Sequence, residues 1–214
     1  MPLTRLLAAF DDALMPLRCV FCGTRTTGDE RHICVGCVAD LPANASPPPA
    51  PGSPFVAELA PYAWAFPVDA ALKALKFRRR LVYAPALAEL LCGACIELPS
   101  DIDAVLPVPL HWRRQWFRGF NQALEIARPV ARHLGVPVIH KVYRRRATPA
   151  QSGLSAVARA SNLRAAFRVR GQLPYRHVLI VDDVITTGAT MRELAGVVVR
   201  ADVDRVSALA VARA

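Results

Sequence analysis

Apolar residues in the second half of the chain fall into short continuous runs separated by longer stretches with helical spacing. The run at 178–181 is aliphatic and rich in β-branched residues, which is typical of a strand buried on both faces of a parallel sheet. Similar runs predict strands at 102–108, 136–142, 167–169 and 206–211, and helical patterns occupy 119–134, interrupted near Pro129, and 191–200. Strands that alternate with helices predict an α/β fold, a mostly parallel sheet flanked by helices.

Two acidic residues follow the 178–181 run directly. Asp182 and Asp183 are therefore expected at the carboxyl end of a central strand, where open α/β sheets place their ligands. The next loop offers small side chains, hydroxyls and backbone N–H groups at the start of a helix, an arrangement that binds anions. The carboxylates would accept hydrogen bonds from a ribose diol while the loop holds a 5-phosphate. The loop residues are Thr186, Thr187, Gly188, Ala189 and Thr190.

A second polar segment follows the strand predicted at 102–108. Arg113, Arg114 and Arg118 lie just beyond it, and their guanidinium groups can make forked contacts to phosphate oxygens. The alternative is a solvated basic loop whose aromatic residues fold onto the core. Because the segment follows a strand end, we favour phosphate contact.

Six cysteines are present, and four of them form two closely spaced pairs. Cys19 and Cys22 are followed after eleven residues by Cys34 and Cys37, the outline of a four-thiolate structural zinc ribbon. His32 could replace one thiol, although four cysteines already complete a tetrahedral shell. The remaining pair lies in the helix-like apolar run 87–98 and is interpreted as two core thiols, Cys92 and Cys95.

Composition frames these motifs. The chain has 214 residues, 53% hydrophobic and 21% charged, which predicts a globular protein. Its net charge of +10 and pI near 10.0 favour polyanionic partners. No apolar stretch reaches the roughly 20 residues of a membrane span, and Asp11 and Asp12 break the first apolar run too early for a signal peptide. We therefore expect no membrane span and a cytoplasmic protein.

Proline content marks a boundary near residue 50. The stretch 42–54 has six prolines in thirteen residues and predicts a semi-rigid linker. We accordingly expect three parts: an amphipathic N-terminal helix with a zinc-ribbon module at 1–41, the Pro-rich linker at 42–54, and the ligand-binding domain at 55–214.

These motifs together resemble a known family. The 178–190 segment looks like the PRPP-binding loop of type I phosphoribosyltransferases, and the whole chain resembles the ComF family of competence-associated proteins. The blocks that carry the second resemblance are the paired cysteines, Lys73 to Phe77, the segment from Leu106 to Gln122, and Arg146-x-Thr148-x-x-Gln151.

The resemblance implies a type I phosphoribosyltransferase-like domain that binds PRPP. Its arginine segment would correspond to the pyrophosphate loop, and Lys76 joins the candidate phosphate-binding residues. Arg146, Thr148 and Gln151 become further site candidates. The stretch 151–162 would be the loop that closes over the substrate, or an ordinary connector. If the chain is catalytic, it would transfer a phosphoribosyl group with Asp182 and Asp183 on the ribose and Mg²⁺ between ligand oxygens. Neither a general base nor an acceptor site is identifiable, so turnover stays open.

A non-catalytic function is the alternative. ComF resemblance implies a role in natural transformation and DNA uptake, with a helicase-like partner and recombination proteins. Trp112, Trp116, Phe117 and Phe120 alternate with arginines and could stack on bases of single-stranded DNA. Core aromatic residues beside a phosphate loop would give the same pattern.

Overall fold

A computed structural model describes residues 17–26, 32–145 and 166–214, with the side chain of Arg114 left out. Several predictions lie outside these residues. They are the N-terminal helix, the candidates Arg146, Thr148 and Gln151, and the loop at 151–162.

Six α-helices and seven strands occur in the described part of the chain. Three further residues, Cys95–Glu97, form a 3₁₀ turn after the third helix. The helices are α1 Val35–Ala39, α2 Val68–Arg78, α3 Tyr83–Ala94, α4 Trp112–Arg118, α5 Gln122–Leu134 and α6 Ala189–Val199, and the strands are β1 Ala57–Leu59, β2 Tyr62–Ala63, β3 Ala104–Pro107, β4 Val142–Arg144, β5 Phe167–Val169, β6 His177–Ile185 and β7 Arg205–Arg213.

The central sheet is parallel, as the alternating pattern predicts. Its order is β1-β7-β6-β3, and the short strand β2 extends the β1 edge by pairing with the second half of β7. A separate antiparallel pair joins β4 to β5. The fold class inferred from the sequence, a mostly parallel sheet flanked by helices, is confirmed.

Side chains of β6 alternate between two hydrophobic cores, one on each face of the sheet. Leu179 and Val181 join the core formed with α2, α3 and α5, and Val178 and Ile180 join the core formed with α6 and the β4–β5 pair. Because both faces are covered, the strand reads as a continuous apolar run in the sequence. None of the described helices is long and apolar enough to span a bilayer.

Two predicted elements differ from the structure near β3. The helix expected to break at Pro129 runs through it, from Gln122 to Leu134. The strand expected at 136–142 is reduced to one bridge between Val138 and Val105, because Pro137 has no N–H to offer a ladder. The regular strand there is β4, which starts at Val142.

The segment expected to be a basic loop contains the helix α4. The His111 side chain accepts a hydrogen bond from the Arg113 N–H at 3.3 Å and caps the helix start. Gly119, with φ at 83°, ends it. Helical periodicity missed α4 because its aromatic residues face solvent instead of forming a buried stripe.

The cysteine-rich module and the Pro-rich stretch both contact the body of the protein. Ile33 lies in the core that contains α3, and the ring of Phe21 lies 6.4 Å from that of Tyr83. The Pro-rich stretch is held beside β2: the Asn44 N–H donates to Pro61 O at 2.8 Å and Ser46 Oγ donates to Ala60 O at 3.2 Å. The three-part division of the chain stays a prediction.

Candidate functional site

The acidic pair lies at the carboxyl end of the sheet. β3 pairs with β6 only as far as Pro107 and Val181, whereas β7 accompanies β6 through to Ile185. Asp182 and Asp183 therefore project where the β3 side of the strand is no longer covered by a neighbour. Strand β6 continues four residues beyond the predicted run, so the acids belong to the strand and do not merely follow it.

Asp183 is buried and forms an ion pair with a lysine from α2. Its Oδ2 lies 2.6 Å from the Nζ of Lys76, and the two side chains are 10% and 19% exposed. The same ammonium group lies 5.7 Å from the ring centroid of Trp64. The structure thus brings Lys76 to the acidic pair.

Asp182 is the partly buried member of the pair. Its Oδ1 accepts a hydrogen bond from the Asp183 N–H at 2.9 Å. Burial, followed by the negative charge of Asp183, raises the pKa of Asp182 to about 8, against an opposing effect of Lys76. Near neutral pH Asp182 therefore retains a proton, and a ligand that changes its surroundings would change that protonation.

The loop after β6 forms a tight turn into α6. Gly188 has φ of 69° and precedes the helix, and the Ala189 N–H points to Thr187 Oγ1 at 3.4 Å. Thr186 and Thr187 are exposed, whereas Ala189 and Thr190 are half-buried. The guanidinium of Arg192 donates to the Thr187 carbonyl and adds positive charge to the turn. Its N–H groups and dipole suit an anion.

The arginines of α4 start from the end of β3, beside the same edge of the sheet. Asn121 anchors this region, because its Nδ2 donates to Val108 O at 3.1 Å. Arg118 donates to Gln122 Oε1 at 3.0 Å, and Arg113 is exposed. The structure therefore places Arg113 and Arg118 on α4, just beyond the end of the neighbouring strand β3, while the side chain of Arg114 is not described.

Exposed aromatic side chains and arginines form one surface on α2 and α4. Four rings are more than half exposed: Phe77 at 71%, Trp112 at 63%, Trp116 at 87% and Phe117 at 79%. The guanidinium of Arg118 lies 5.6 Å from the Phe77 ring, and Arg79 donates to Phe117 O. We call these rings, with Arg79, Arg113 and Arg118, the aromatic–arginine surface. Phe120 packs against the core instead.

The four clustered cysteines come together in space. The Sγ atoms of Cys19, Cys22, Cys34 and Cys37 all lie within 4.8 Å of one another. Four thiols at that separation are a donor set suited to tetrahedral zinc with no open position. Among the described residues His32 is not part of this group; its backbone N–H instead donates to Glu89 Oε2 of α3 at 3.1 Å.

Local hydrogen bonds prepare one thiol of this cluster for ionisation. The hydroxyl and backbone of Thr24 lower the pKa of Cys22 to about 6. By contrast, burial raises the pKa of Cys92, and burial together with Cys92 raises that of Cys95 to about 12. The latter pair has the character of core thiols, as the sequence indicated.

Two residues near the site were not singled out from the sequence, and a third, Phe77, was named only as the end of the Lys73–Phe77 block. Trp64 follows β2, Phe77 lies in the last turn of α2, and Arg192 lies in the first turn of α6. Arg192 is four residues past Gly188 and would be recognisable as a helix neighbour of the loop. No sequence pattern indicated that Trp64 lies near the site or that the Phe77 ring is exposed, because both follow from how α2 packs against the sheet.

The chain is similar to several known proteins. Residues 121–214 match the model of the phosphoribosyl transferase domain. Competence protein F of Haemophilus influenzae is 35% identical over 69% of this chain and 69% of its own length. DNA utilization protein YhgH of Escherichia coli K12 is 37% identical over 85% of this chain and 84% of its own length.

Solved structures give partial superpositions. The glutamine PRPP amidotransferase from B. subtilis superposes with a TM-score of 0.45 and 19% identity over 65% of this chain and 30% of that chain. Orotate phosphoribosyltransferase from Aeropyrum pernix gives 0.39 and 22% over 62% and 63%. The match to Competence protein F and YhgH extends over most of the chain, and a phosphoribosyl transferase domain and a four-cysteine cluster accompany it. The chain therefore belongs to the ComF family.

Proposed function

We propose that this chain binds PRPP, or a related phosphoribosyl ligand, at the carboxyl end of its sheet. The observation that carries the proposal is the adjacency of the acidic pair and the Gly188 turn on one strand–loop–helix unit. Asp182 and Asp183 would hold the ribose hydroxyls, and the loop residues Thr186 to Thr190 the 5-phosphate. Arg113, Arg114 and Arg118 would contact the pyrophosphate from the end of β3.

Magnesium would accompany such a ligand. Asp183 is already neutralised by Lys76, so the acidic pair does not offer two free carboxylates to a cation. This fits a divalent ion held mainly by pyrophosphate and ribose oxygens, with few protein ligands. Zinc has a separate place in the proposal: the four-thiol cluster would hold one structural ion and stabilise a module with little core of its own.

Direct binding tests the ligand site. Calorimetry with PRPP and Mg²⁺ should give saturable binding to the wild type and at least about tenfold weaker binding to the double variant Asp182→Asn/Asp183→Asn. Asp204→Asn is the matched control, because that exposed carboxylate lies before β7, at the opposite end of the sheet. Equal affinity of the double variant and the wild type would contradict the proposal.

Catalysis is a further step of the same proposal. A phosphoribosyl transfer would release pyrophosphate from PRPP when an acceptor attacks C1, with the pocket orienting the donor and stabilising the leaving group. A pyrophosphate-release assay with pooled nucleobases and amines as acceptors tests it. Release that depends on Asp182 and Asp183 would establish an enzyme, and binding without release would leave a ligand-sensing module.

The biological setting that we propose is the handling of incoming DNA in natural transformation, in the cytoplasm. It follows from the names of the relatives, Competence protein F and DNA utilization protein YhgH. A competence helicase and recombination proteins would be its partners. In the source organism, deletion of the gene should reduce transformation or growth on DNA, and the double Asp variant should fail to restore it; full restoration would separate the ligand site from this role.

A second candidate function is single-stranded DNA binding on a retained transferase fold. The observation that favours it is the aromatic–arginine surface, where the exposed rings of Phe77 and Trp112 lie beside the guanidinium groups of Arg118 and Arg113. Stacked bases and neutralised phosphates are the interactions such a surface provides. Three-part organisation, with a cysteine module at 1–41, a linker at 42–54 and the transferase-like domain at 55–214, is proposed for either function.

A further inference from the structure

The acidic pair poses an electrostatic problem that the chain has to solve before any ligand arrives. Two adjacent carboxyl groups, one of them buried, do not both ionise without a compensating positive charge. The charged groups that act on Asp182 are Asp183 on the same strand and Lys76 on α2. Lys76 is thus the positive charge that faces this pair from the neighbouring helix.

Lys76 is held in that place by the packing of α2. Leu72 and Leu75 are fully buried in the core beneath the helix, which fixes the helix against the sheet. The ammonium group then lies between Asp183 Oδ2, at 2.6 Å, and the Trp64 ring, at 5.7 Å from its centroid. A lysine in a partly buried ion pair is not a free phosphate ligand, because phosphate contact would require that pair to break.

Lys73 is a second lysine on the same helix and allows a comparison with Lys76. It lies one turn earlier on α2 and also approaches the Trp64 ring, at 5.5 Å. Its ammonium, however, pairs with Asp69 on its own helix and its side chain is 53% exposed. Both lysines lie on α2 near the Trp64 ring and each forms an ion pair, but only the partner of Lys76 belongs to the acidic pair.

We propose that Lys76 is a positioning residue for the acidic pair: it serves as a built-in counter-cation that holds the Asp183 carboxylate in an ion pair and orients it toward the ribose hydroxyls. This inference rests on the proposed ribose-binding role of Asp182 and Asp183. It assigns Lys76 to the sugar end of the ligand, whereas the sequence had grouped it with the phosphate contacts. The ligand's divalent ion is then not required at the carboxylates themselves.

The choice of ligand separates the two roles of Lys76. Ribose 5-phosphate has the diol and the 5-phosphate but lacks the pyrophosphate. A counter-cation of the acidic pair affects the binding of ribose 5-phosphate and PRPP by the same factor. A lysine that contacts pyrophosphate affects PRPP alone.

The experiment compares Lys76→Met, Lys76→Arg and Lys73→Met with the wild type. At pH 7 we expect Lys76→Met to weaken the binding of PRPP and of ribose 5-phosphate by a similar factor, about tenfold or more. Lys76→Arg should recover part of the lost affinity, and Lys73→Met should bind both ligands as the wild type does. Loss confined to PRPP, or an equal loss in Lys73→Met, would overturn the inference.

A ligand-free measurement keeps the inference distinguishable from the proposed function. Carboxyl ¹³C shifts of Asp182, followed by NMR as a function of pH, should titrate at higher pH in Lys76→Met than in the wild type and Lys73→Met, because the stabilising positive charge is gone. An unchanged midpoint overturns the counter-cation role even where ligand binds. If the wild type binds neither ligand, the proposed function fails, and a shifted midpoint without ligand binding would leave Lys76 a purely structural partner, which also overturns the inference.

Discussion

A β-carbon placed on Gly188 would lie 2.8 Å from Nη1 of Arg192, the residue one turn into α6. Gly188 also has φ of 69°, a left-handed conformation that residues with a side chain adopt at a cost of about 1 kcal/mol or more. The positive φ constrains the turn that would hold the 5-phosphate, whereas the Arg192 guanidinium is the far end of a flexible side chain and can move aside. The glycine is therefore required chiefly by backbone geometry.

Gly188→Ala should weaken PRPP binding and lower stability by about 1–2 kcal/mol. Gly196→Ala is the matched control, because Gly196 lies inside the same helix, without a positive φ, and its added carbon would lie 3.3 Å from Arg200 Nη1. That change should be neutral or stabilising by up to about 1 kcal/mol. Thermal unfolding and calorimetry check both, and a neutral Gly188→Ala would show that the turn adapts.

The strand, the acids and the turn were predictable because each leaves a local signature in the sequence. A buried parallel strand reads as an apolar run, and carboxylates followed by small residues mark a strand–loop–helix ligand site. The contact of Lys76 with Asp183 was not predictable, because it depends on how α2 packs against the sheet. The helical state of Trp112–Arg118 was missed for the opposite reason: its rings face solvent, so no apolar stripe marks it.

The raised pKa of Asp182 predicts a stability that falls as pH rises. Its pKa moves from 3.8 to about 8 in the folded protein, so between these values the folded chain holds a proton that the unfolded chain has lost. Unfolding free energy therefore decreases from about pH 4 to about pH 8 on account of this group. Asp182→Asn should remove that slope and be most stabilising, relative to the wild type, near pH 8 and above.

Urea unfolding at intervals between pH 5 and pH 9 measures this slope. Asp69→Asn is a suitable control, because the Lys73 hydrogen bond lowers the pKa of Asp69 and places its titration below that window. The control should keep the wild-type slope. A slope that survives in Asp182→Asn would mean that another group carries the proton.

Metal content should depend on the four clustered cysteines and not on the other two. Cys22→Ser and Cys37→Ser should each remove zinc from a stoichiometry of one per chain, whereas Cys92→Ser should retain it. Stability should fall with the metal because the module contacts α3 through Phe21 and Tyr83. Elemental analysis and thermal unfolding measure the two effects, and a wild type that contains no zinc would refute the site.

Single-stranded DNA binding should require the aromatic–arginine surface. If a base stacks on each ring, Trp116→Ala and Phe117→Ala should each weaken the binding free energy for single-stranded DNA by about 1–3 kcal/mol. The affinity of the wild type should fall steeply as the salt concentration rises. Tyr143→Ala is the control, since that exposed ring also lies near an arginine, 5.7 Å from Arg170, but on the β4–β5 pair. Fluorescence anisotropy with an oligonucleotide measures this, and equal losses in all three variants would indicate non-specific attraction to a basic protein.

The amino ends of β6 and β7 carry a polar cluster whose loss should affect stability alone. His177 Nδ1 lies 2.9 Å from Asp101 Oδ1, and its Nε2 lies 2.8 Å from Ser207 Oγ. The order Asp–His–Ser is that of a hydrolase triad, but Ser207 is fully buried and no substrate reaches its hydroxyl.

His177→Ala would leave that hydroxyl without its partner and open a cavity, which should lower the free energy of unfolding by about 2–4 kcal/mol. Because the acidic pair lies at the other end of β6, PRPP affinity of the folded variant should equal that of the wild type; a loss of affinity at full folding would show that the two ends of the strand are coupled.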